Sequence, residues 1–354
     1  MRLKNISQEV LFELVRAGLW EQECRLTRFG NINYAKIQSL AQEQSVVGLV
    51  TAGLEHVVDI KIQQEYLLLL IGETLQIEQR NKAMNSFLSV LIKKMRGEGI
   101  SSLLVKGQGV AQCYERPQWR ASGDVDLLLS EDNYLRAKDY LLSLSSSNKP
   151  ERKYSKELGM SIGSWYVEIH GTQRTGLSTR VDKVIDNVLT DVFREDKLRS
   201  WQNGDTQIFL SSPDSDVFFV FTHFIKHFYK EGGVSIRQLC DWCRLLWTFK
   251  EKINIELLEN RLNRAGLLGE WKGFASVAVE YLGMPCEAMP LYSLERKWKT
   301  KAQKIITFIL KGGEWKKVKD TITVAKIYPC NIIRFLPGIL FGVNWLKIKE
   351  RLIK

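Results

Sequence analysis

Three short stretches hold the residues whose types and spacing could do chemistry. Asp124-Val125-Asp126 opens an apolar run that ends at Leu129. Side chains alternate across a strand, so the two carboxylates project from one face while Val125, Leu127 and Leu129 project from the other. Two carboxylates held side by side repel unless a cation sits between them, and Mg²⁺ takes a few carboxylates together with substrate phosphates. Trp165-Tyr-Val-Glu-Ile-His170 alternates in the same way, with Tyr166, Glu168 and His170 on one face. If it lies beside the first strand, Glu168 adds a third carboxylate. Such a set, with two metals or with one metal and a general base, can activate an acceptor hydroxyl and stabilise charge on a transferred phosphorus. His170 is expected to make a structural hydrogen bond as readily as to touch a ligand. The third stretch is Lys106-Gly107-Gln108, between a strand and a helix, where backbone N–H groups and the lysine charge could cradle a phosphate tail. Arg120 and Ser122, on the loop before the aspartates, could reach a triphosphate or a sugar.

These residues need elements to hold them. Residues 6–98 read as helix throughout, with apolar positions three and four apart such as Leu11, Leu14, Val15 and Leu19. Gln63 to Lys94 is one long helix or two, with Gly72 the weak point. After Gly97-Glu-Gly-Ile-Ser the texture changes. Leu103-Leu104-Val105 is a buried-strand candidate, a helix is expected from Val110 to Glu115, and a second strand from Asp124 to Leu129. Ser130 caps a helix to Leu144, and 145–150 is a turn. Lys153–Met160 and Ser164–His170 are strands, joined near Gly163 if they form a hairpin. A helix from Val181 to Phe193 and a strand at Gln207–Leu210 complete the region. Ser212-Pro213-Asp214 is a helix start, with a cap and proline at the first position, and everything beyond reads helical. The expected fold is α+β, a mixed sheet domain over 99–211 between a helical region 1–98 and a helical, basic region 212–354.

The runs Leu104-Val-Lys-Gly-Gln-Gly-Val-Ala-Gln-Cys-Tyr, Arg120-Ala-Ser-Gly-Asp-Val-Asp-Leu-Leu-Leu and Val167-Glu-Ile-His, in this order, resemble an uncharacterised bacterial nucleotidyltransferase family, a branch of the polymerase-β-like superfamily. Ile208-Phe-Leu-Ser-Ser-Pro-Asp, His223-Phe-Ile-Lys-His227 and Arg237-Gln-Leu-Cys-Asp241 extend the likeness, which covers about residues 100–250. The resemblance implies transfer of a nucleoside monophosphate from an NTP such as ATP, with Mg²⁺ (or Mn²⁺) held by Asp124, Asp126 and Glu168. The acceptor, whether small molecule, protein or RNA, stays open. Most of the superfamily carries Gly-Ser after the first strand; this chain carries Lys106-Gly107. Two rivals follow. One is a catalytically degenerate fold serving as an RNA-binding or membrane-surface scaffold. The other is a metal-dependent sugar-nucleotide glycosyltransferase, which also uses Asp-x-Asp, although such enzymes usually open with an α/β half where this chain reads helical.

The formal charge is +11, and residues 291–354, with 15 basic against 4 acidic side chains, hold the whole excess. A basic end attracts nucleic acid, nucleotide or an anionic membrane surface without specifying which. The apolar and cationic run 332–354 is expected to pack on the core more than to lie on a membrane, since Pro337, Gly338 and Gly342 interrupt its pattern. No stretch reaches the roughly 18–20 apolar residues of a transmembrane span, and charged residues break every N-terminal window of signal-peptide type. A cytoplasmic protein is expected. The six cysteines lack the spacing of a disulfide framework or zinc ribbon, and Cys240-Asp-Trp-Cys243 sits inside a helical pattern, where burial explains it best. His223 and His227 share a helix face, as do Arg237 and Asp241. The first pair is expected to line the cleft rather than bind zinc, and the second to form an ion pair at least as readily as to meet substrate.

Overall fold

The computed structural model describes residues 5–231, 233–311 and 323–340. Its N-terminal region is helical as expected, with α1 (Ile6–Trp20), α2 (Tyr34–Glu43), α3 (Val47–Glu55) and α4 (Gln64–Gly97). Asn5 and Asn33 cap α1 and α2 by accepting from the backbone N–H of Ser7 and Lys36. Helices α1 and α3 cross backbone to backbone, because a Cβ at Gly18 or Gly53 would collide with the carbonyl of Leu49 or Leu14. Gly72 does not break α4, which runs unbroken for 34 residues, about 50 Å at 1.5 Å per residue.

The sheet has five strands in the order β1-β2-β5-β4-β3: β1 (Leu103–Val105), β2 (Val125–Leu128), β3 (Ser147–Asn148), β4 (Glu157–Ile162) and β5 (Trp165–His170). All neighbours run antiparallel except β2 and β5, which are parallel. A parallel neighbour needs a crossover, here α6 (Glu131–Leu144) followed by β3 and β4. The hairpin turns at Gly163, whose φ of +59° is the left-handed conformation glycine adopts freely.

One face of the sheet is apolar. Val125, Leu127, Leu129, Val167 and Ile169 are buried there against Met84, Leu88, Leu91 and Met95 of α4 and Tyr134, Ala137 and Leu141 of α6. Burying each Leu- or Val-sized side chain is worth roughly 1.5–3 kcal/mol, which fixes the register and with it the face on which the polar alternates stand. That second face, carrying Asp126, Glu168 and His170, lies beneath α8 (Pro213–Lys226) and α9 (Ile236–Thr248). Helices α10 (Ile255–Ala265), α11 (Leu268–Leu282) and α12 (Arg296–Ile309) continue the same core, which also takes in residues of α1–α3.

Several elements differ from the sequence reading in place or extent. A short helix α5 (Gly107–Ala111) starts at Gly107 instead of Val110, because a left-handed turn at Lys106 and Gly107 sends the chain directly into it. Strand β2 starts one residue later than expected, leaving Asp124 on the loop. The turn 145–150 includes the edge strand β3, β4 begins at Glu157 rather than Lys153, and α7 (Thr179–Val192) replaces Val181–Phe193. Strand β6 (Arg199–Asn203), absent from the sequence reading, forms a hairpin with β7 (Thr206–Leu210). Ser130 precedes α6, but its hydroxyl accepts from the Asn133 side chain instead of a helix N–H.

All six cysteines are free. Cys24, Cys113, Cys240 and Cys243 are buried, and burial pushes the thiols of the last two far above their usual range. No helix among the described residues is long and apolar enough to cross a membrane. Of the apolar 332–354 run, residues 341–354 lie outside the described residues. Before them, the helix Pro329–Leu340 sets Phe335 edge-on to Tyr229 with ring centroids 4.8 Å apart, so this part of the run packs on the core.

Candidate active site

The parallel register places Asp126 of β2 opposite Glu168 of β5, and Leu128 opposite His170. Three ligand atoms, one each from Asp126, Glu168 and His170, lie within 4.8 Å of one another. They form the wall of a cavity of about 330 Å³ whose roof is α8 and α9. Helix α8 begins as its Ser-Pro-Asp signature requires: the Ser212 hydroxyl accepts from the N–H of Ser215, with Pro213 in the first turn. It buries Val217, Phe218, Phe221 and Phe224 and turns His223 and Lys226 toward the cavity. A π-helical turn, His227–Glu231, follows directly and brings His227 to the same wall.

Asp126 is 4% exposed. His170 Nε2 lies 2.8 Å and Lys106 Nζ 3.1 Å from its Oδ1. Burial pushes the Asp126 carboxyl up, but the Lys106 and His170 contacts outweigh it and hold the group well below the usual carboxylate range. Asp124 and Glu168 go the other way. Each is raised by burial first and then by the charge of Asp126. Asp124, Asp126 and Glu168 therefore stand together on one side of the cavity, two of them electrostatically uncomfortable, and that is the environment a divalent cation relieves. Asp126 and Glu168 offer the oxygen donors that a hard cation prefers, Asp124 lines the same wall two residues before Asp126, and His170 is placed to orient the Asp126 carboxylate. The residues fit Mg²⁺.

Lys106 adopts φ +57° and ψ −147°, backbone that glycine enters freely and other residues enter only with strain, at about 1–3 kcal/mol. Burial lowers the affinity of its ammonium for a proton, yet Asp126, Glu168 and Asp124 together raise it, so Lys106 is charged. The lysine thus stands as a cation against the carboxylate wall.

Arg120 is engaged within the protein. Its Nε and Nη2 donate to the two oxygens of Asp241 at 2.7 and 2.8 Å, and Nη1 donates to the Ser122 hydroxyl at 2.8 Å. Asp241 also accepts from Tyr114 Oη at 2.7 Å and from Arg237 Nη1 at 3.2 Å. Arg120 and Asp241, 5% and 6% exposed, lock the loop before Asp124 onto α9. Asn81 of α4 holds the same loop by donating to the carbonyls of Gln118 and Arg120, and its own carbonyl accepts from Gln108. Gln108 is consequently turned into the core. Its side chain and that of Ser122 stand outside the cavity wall, whereas Lys106, Gly107, Arg120, Asp124, Asp126, Glu168, His170, His223, His227, Arg237 and Asp241 are all brought to it.

His223 and His227 meet each other at 3.0 Å between Nε2 atoms, one imidazole donating to the other. Burial, then the nearby Lys106 charge, holds His223 well below the usual histidine range, so it is neutral at pH 7. No third ligand joins the pair into a metal site among the described residues.

The sequence reading missed the far flank of the cavity: Arg152, Glu157, Gln173, Arg174 and Lys226. The available signal was the polar loop that directly follows the strand carrying Glu168. This loop is held from beneath by Asp182 of α7, 2% exposed, whose carboxylate accepts from Thr175 N at 2.8 Å, Thr175 Oγ1 at 3.0 Å, Gly176 N at 3.1 Å and Tyr154 Oη at 2.8 Å. Arg174 is clamped to Asp186, one helical turn further on. Asp182→Ala leaves these buried donors without an acceptor and is expected to cost about 3 kcal/mol. Urea unfolding measures it, and a cost under about 1 kcal/mol would mean the loop is held by something else.

Compared with known proteins, the chain matches over residues 30–283 the model of an uncharacterised nucleotidyltransferase family. None of the curated proteins and no solved structure matches. The match takes in the carboxylate wall, the Lys106 turn and both roof helices, and makes the protein a transferase. On that match and on the sheet that carries the carboxylates, the chain belongs to the uncharacterised nucleotidyltransferase family.

Proposed function

We propose that the protein transfers a nucleoside monophosphate from an NTP to an acceptor hydroxyl or phosphate and releases pyrophosphate, with Mg²⁺ as the working cation and Mn²⁺ able to replace it. The observation that carries this reading is the parallel pairing that sets Asp126 against Glu168 in a cavity also reached by Lys106. Asp124 and Asp126 would hold the metal, and Glu168 would complete the site or act as base. When bound, the cation neutralises charge on the phosphates and on the oxygens made and broken at the α-phosphorus.

The chain's own residues do the rest. Lys106 and the Gly107 backbone hold the phosphate tail, and the ammonium turns from Asp126 toward the incoming anion. His170 keeps the Asp126 carboxylate in one orientation. As the base, Glu168 takes the proton of the acceptor hydroxyl as the new O–P bond forms and the bond to pyrophosphate breaks. Arg120, Ser122 and Asp241 serve by fixing the loop that carries Asp124. The cation excess of residues 291–354 adds attraction for phosphate-rich partners, including an anionic membrane surface or RNA.

One observation favours the degenerate-scaffold reading: Lys106 Nζ already sits on Asp126, where it can stand in for a metal charge. Calorimetric titration separates the two. ATP, GTP, CTP and UTP are titrated into wild type and Lys106→Ala, with and without Mg²⁺. An active transferase binds at least one nucleotide only with Mg²⁺, and Lys106→Ala weakens it by about 10- to 100-fold, the range expected of one charge-assisted phosphate contact. Folded wild-type protein that ignores all four nucleotides would sink the transferase reading and leave the scaffold.

A further inference from the structure

We infer that the acceptor carries an anionic group, a phosphate or carboxylate, which is seated at the β4 flank of the cavity by Arg152, Gln173 and Lys226. The inference rests on the nucleotidyl-transfer reading and deepens it.

The two ends of the cavity lie at different strands. Sheet order runs β1-β2-β5-β4, with Lys106 following β1 and Glu157 opening β4. Three strand spacings separate these flanks, roughly 14 Å at 4.7–4.9 Å each, with the carboxylates of β2 and β5 between them. In-line displacement puts the attacking and leaving oxygens on opposite sides of the phosphorus. A phosphate tail at Lys106 and Gly107 therefore leaves the β4 flank to the acceptor.

The side chains on that flank are mostly donors. Arg152 pairs with Glu157 at 2.8 Å, and Lys226 of α8 approaches the same carboxylate at 4.0 Å, so both cations stand at one place on the flank. Gln173 lies between them in the chain and lines the same cavity. Its Nε2 is buried and meets no hydrogen-bond acceptor among the described residues. A buried amide N–H left unpaired costs about 1–3 kcal/mol, so its place in a ligand cavity calls for an acceptor atom on the ligand. The segment is also rigid before any ligand arrives, since Asp182 ties down Thr175 and Gly176 and Asp186 ties down Arg174. A prepared set of two cations and an unpaired N–H suits an oxyanion, and a neutral alcohol would leave it unanswered.

The reaction balances as before: the acceptor oxygen bonds to the α-phosphorus, the bond to pyrophosphate breaks with its electrons leaving on pyrophosphate, and the hydroxyl proton passes to Glu168. The anionic group stays intact and only positions the acceptor.

The test uses glycerol 3-phosphate as the probe and glycerol as its neutral control. Each is titrated into full-length protein holding Mg²⁺ and a mixture of the α,β-methylene analogues of ATP, GTP, CTP and UTP, which cannot be cleaved at the α-phosphorus. We expect the phosphate probe to bind at least 30-fold tighter than glycerol. Gln173→Leu, Lys226→Gln and Arg152→Gln should each weaken it 10-fold or more, with nucleotide affinity within threefold of wild type and circular dichroism unchanged. Absence of probe binding to nucleotide-loaded protein, or binding that the variants do not weaken, overturns the acceptor site. So does displacement of the probe by the nucleotide, because these side chains would then serve the triphosphate. If no nucleotide analogue binds but the probe does, and the variants abolish it, the transfer reading has failed and the anion is not an acceptor.

Discussion

Asp126→Asn is expected to reduce nucleotidyl transfer by at least about 10³-fold, on the order of 4 kcal/mol in the barrier, while leaving the fold intact. The substitution keeps the shape and an oxygen that can still accept from His170, 2.8 Å away. It removes the charge that balances Lys106 and that would hold the metal. Asp126 is also the carboxylate whose charge pushes Asp124 and Glu168 upward. Neutralising it therefore lowers both of those groups while removing the metal's central ligand, so metal affinity and turnover should fall together even though Glu168 remains ionised. Release of pyrophosphate from labelled NTP reads the rate, and calorimetry with Mg²⁺ and nucleotide reads the metal. Turnover within tenfold of wild type would remove Asp126 from the site.

The second large effect is on stability. Asp241→Ala is expected to cost about 3–5 kcal/mol in urea unfolding, because it strands the buried guanidinium of Arg120 with no counter-charge. Tyr114 loses its acceptor as well. Replacing Arg120 with Met in the same chain should restore part of the loss, since no buried charge is then unpaired. The pH dependence has a definite sign. Burial pushes the Asp241 carboxyl up, but Arg120 and its other partners outweigh this and hold it below the ordinary value of 3.8. Its contribution is therefore complete above that value and is lost as pH falls through the depressed one. A cost below about 1 kcal/mol would show that the loop before Asp124 does not depend on this pair.

What could be read from the sequence followed from local alternation and punctuation. The faces of β2 and β5 and the Ser212-Pro213 start of α8 depend on neighbours a few residues apart. Asp126 and Glu168 stand on the face that alternation assigns them, and the same alternation buries Val125, Leu127 and Ile169. Partners distant along the chain were invisible. Arg120 and Asp241 are 121 residues apart, so the loop arginine that looked like a ligand for phosphate is held by a helix far along the chain. Gln108 was assigned to the phosphate cradle by its place after Gly107, but Asn81 draws its amide inward. Strand β6, Arg-Ser-Trp-Gln-Asn, has the composition of a loop and extends only because β7 supplies its hydrogen bonds. The far flank of the cavity escaped notice because its charges come from four separate segments and share no motif.

The left-handed backbone at Lys106 carries a consequence for how the site can change over time. A glycine at that position would relieve the strain but would also remove the cation that stands 3.1 Å from the buried Asp126 carboxylate, so the two effects on folding energy oppose each other. Lysine at position 106 therefore sets backbone strain against charge pairing, so drift to glycine would not be free in folding energy even in a lineage where the site had fallen idle.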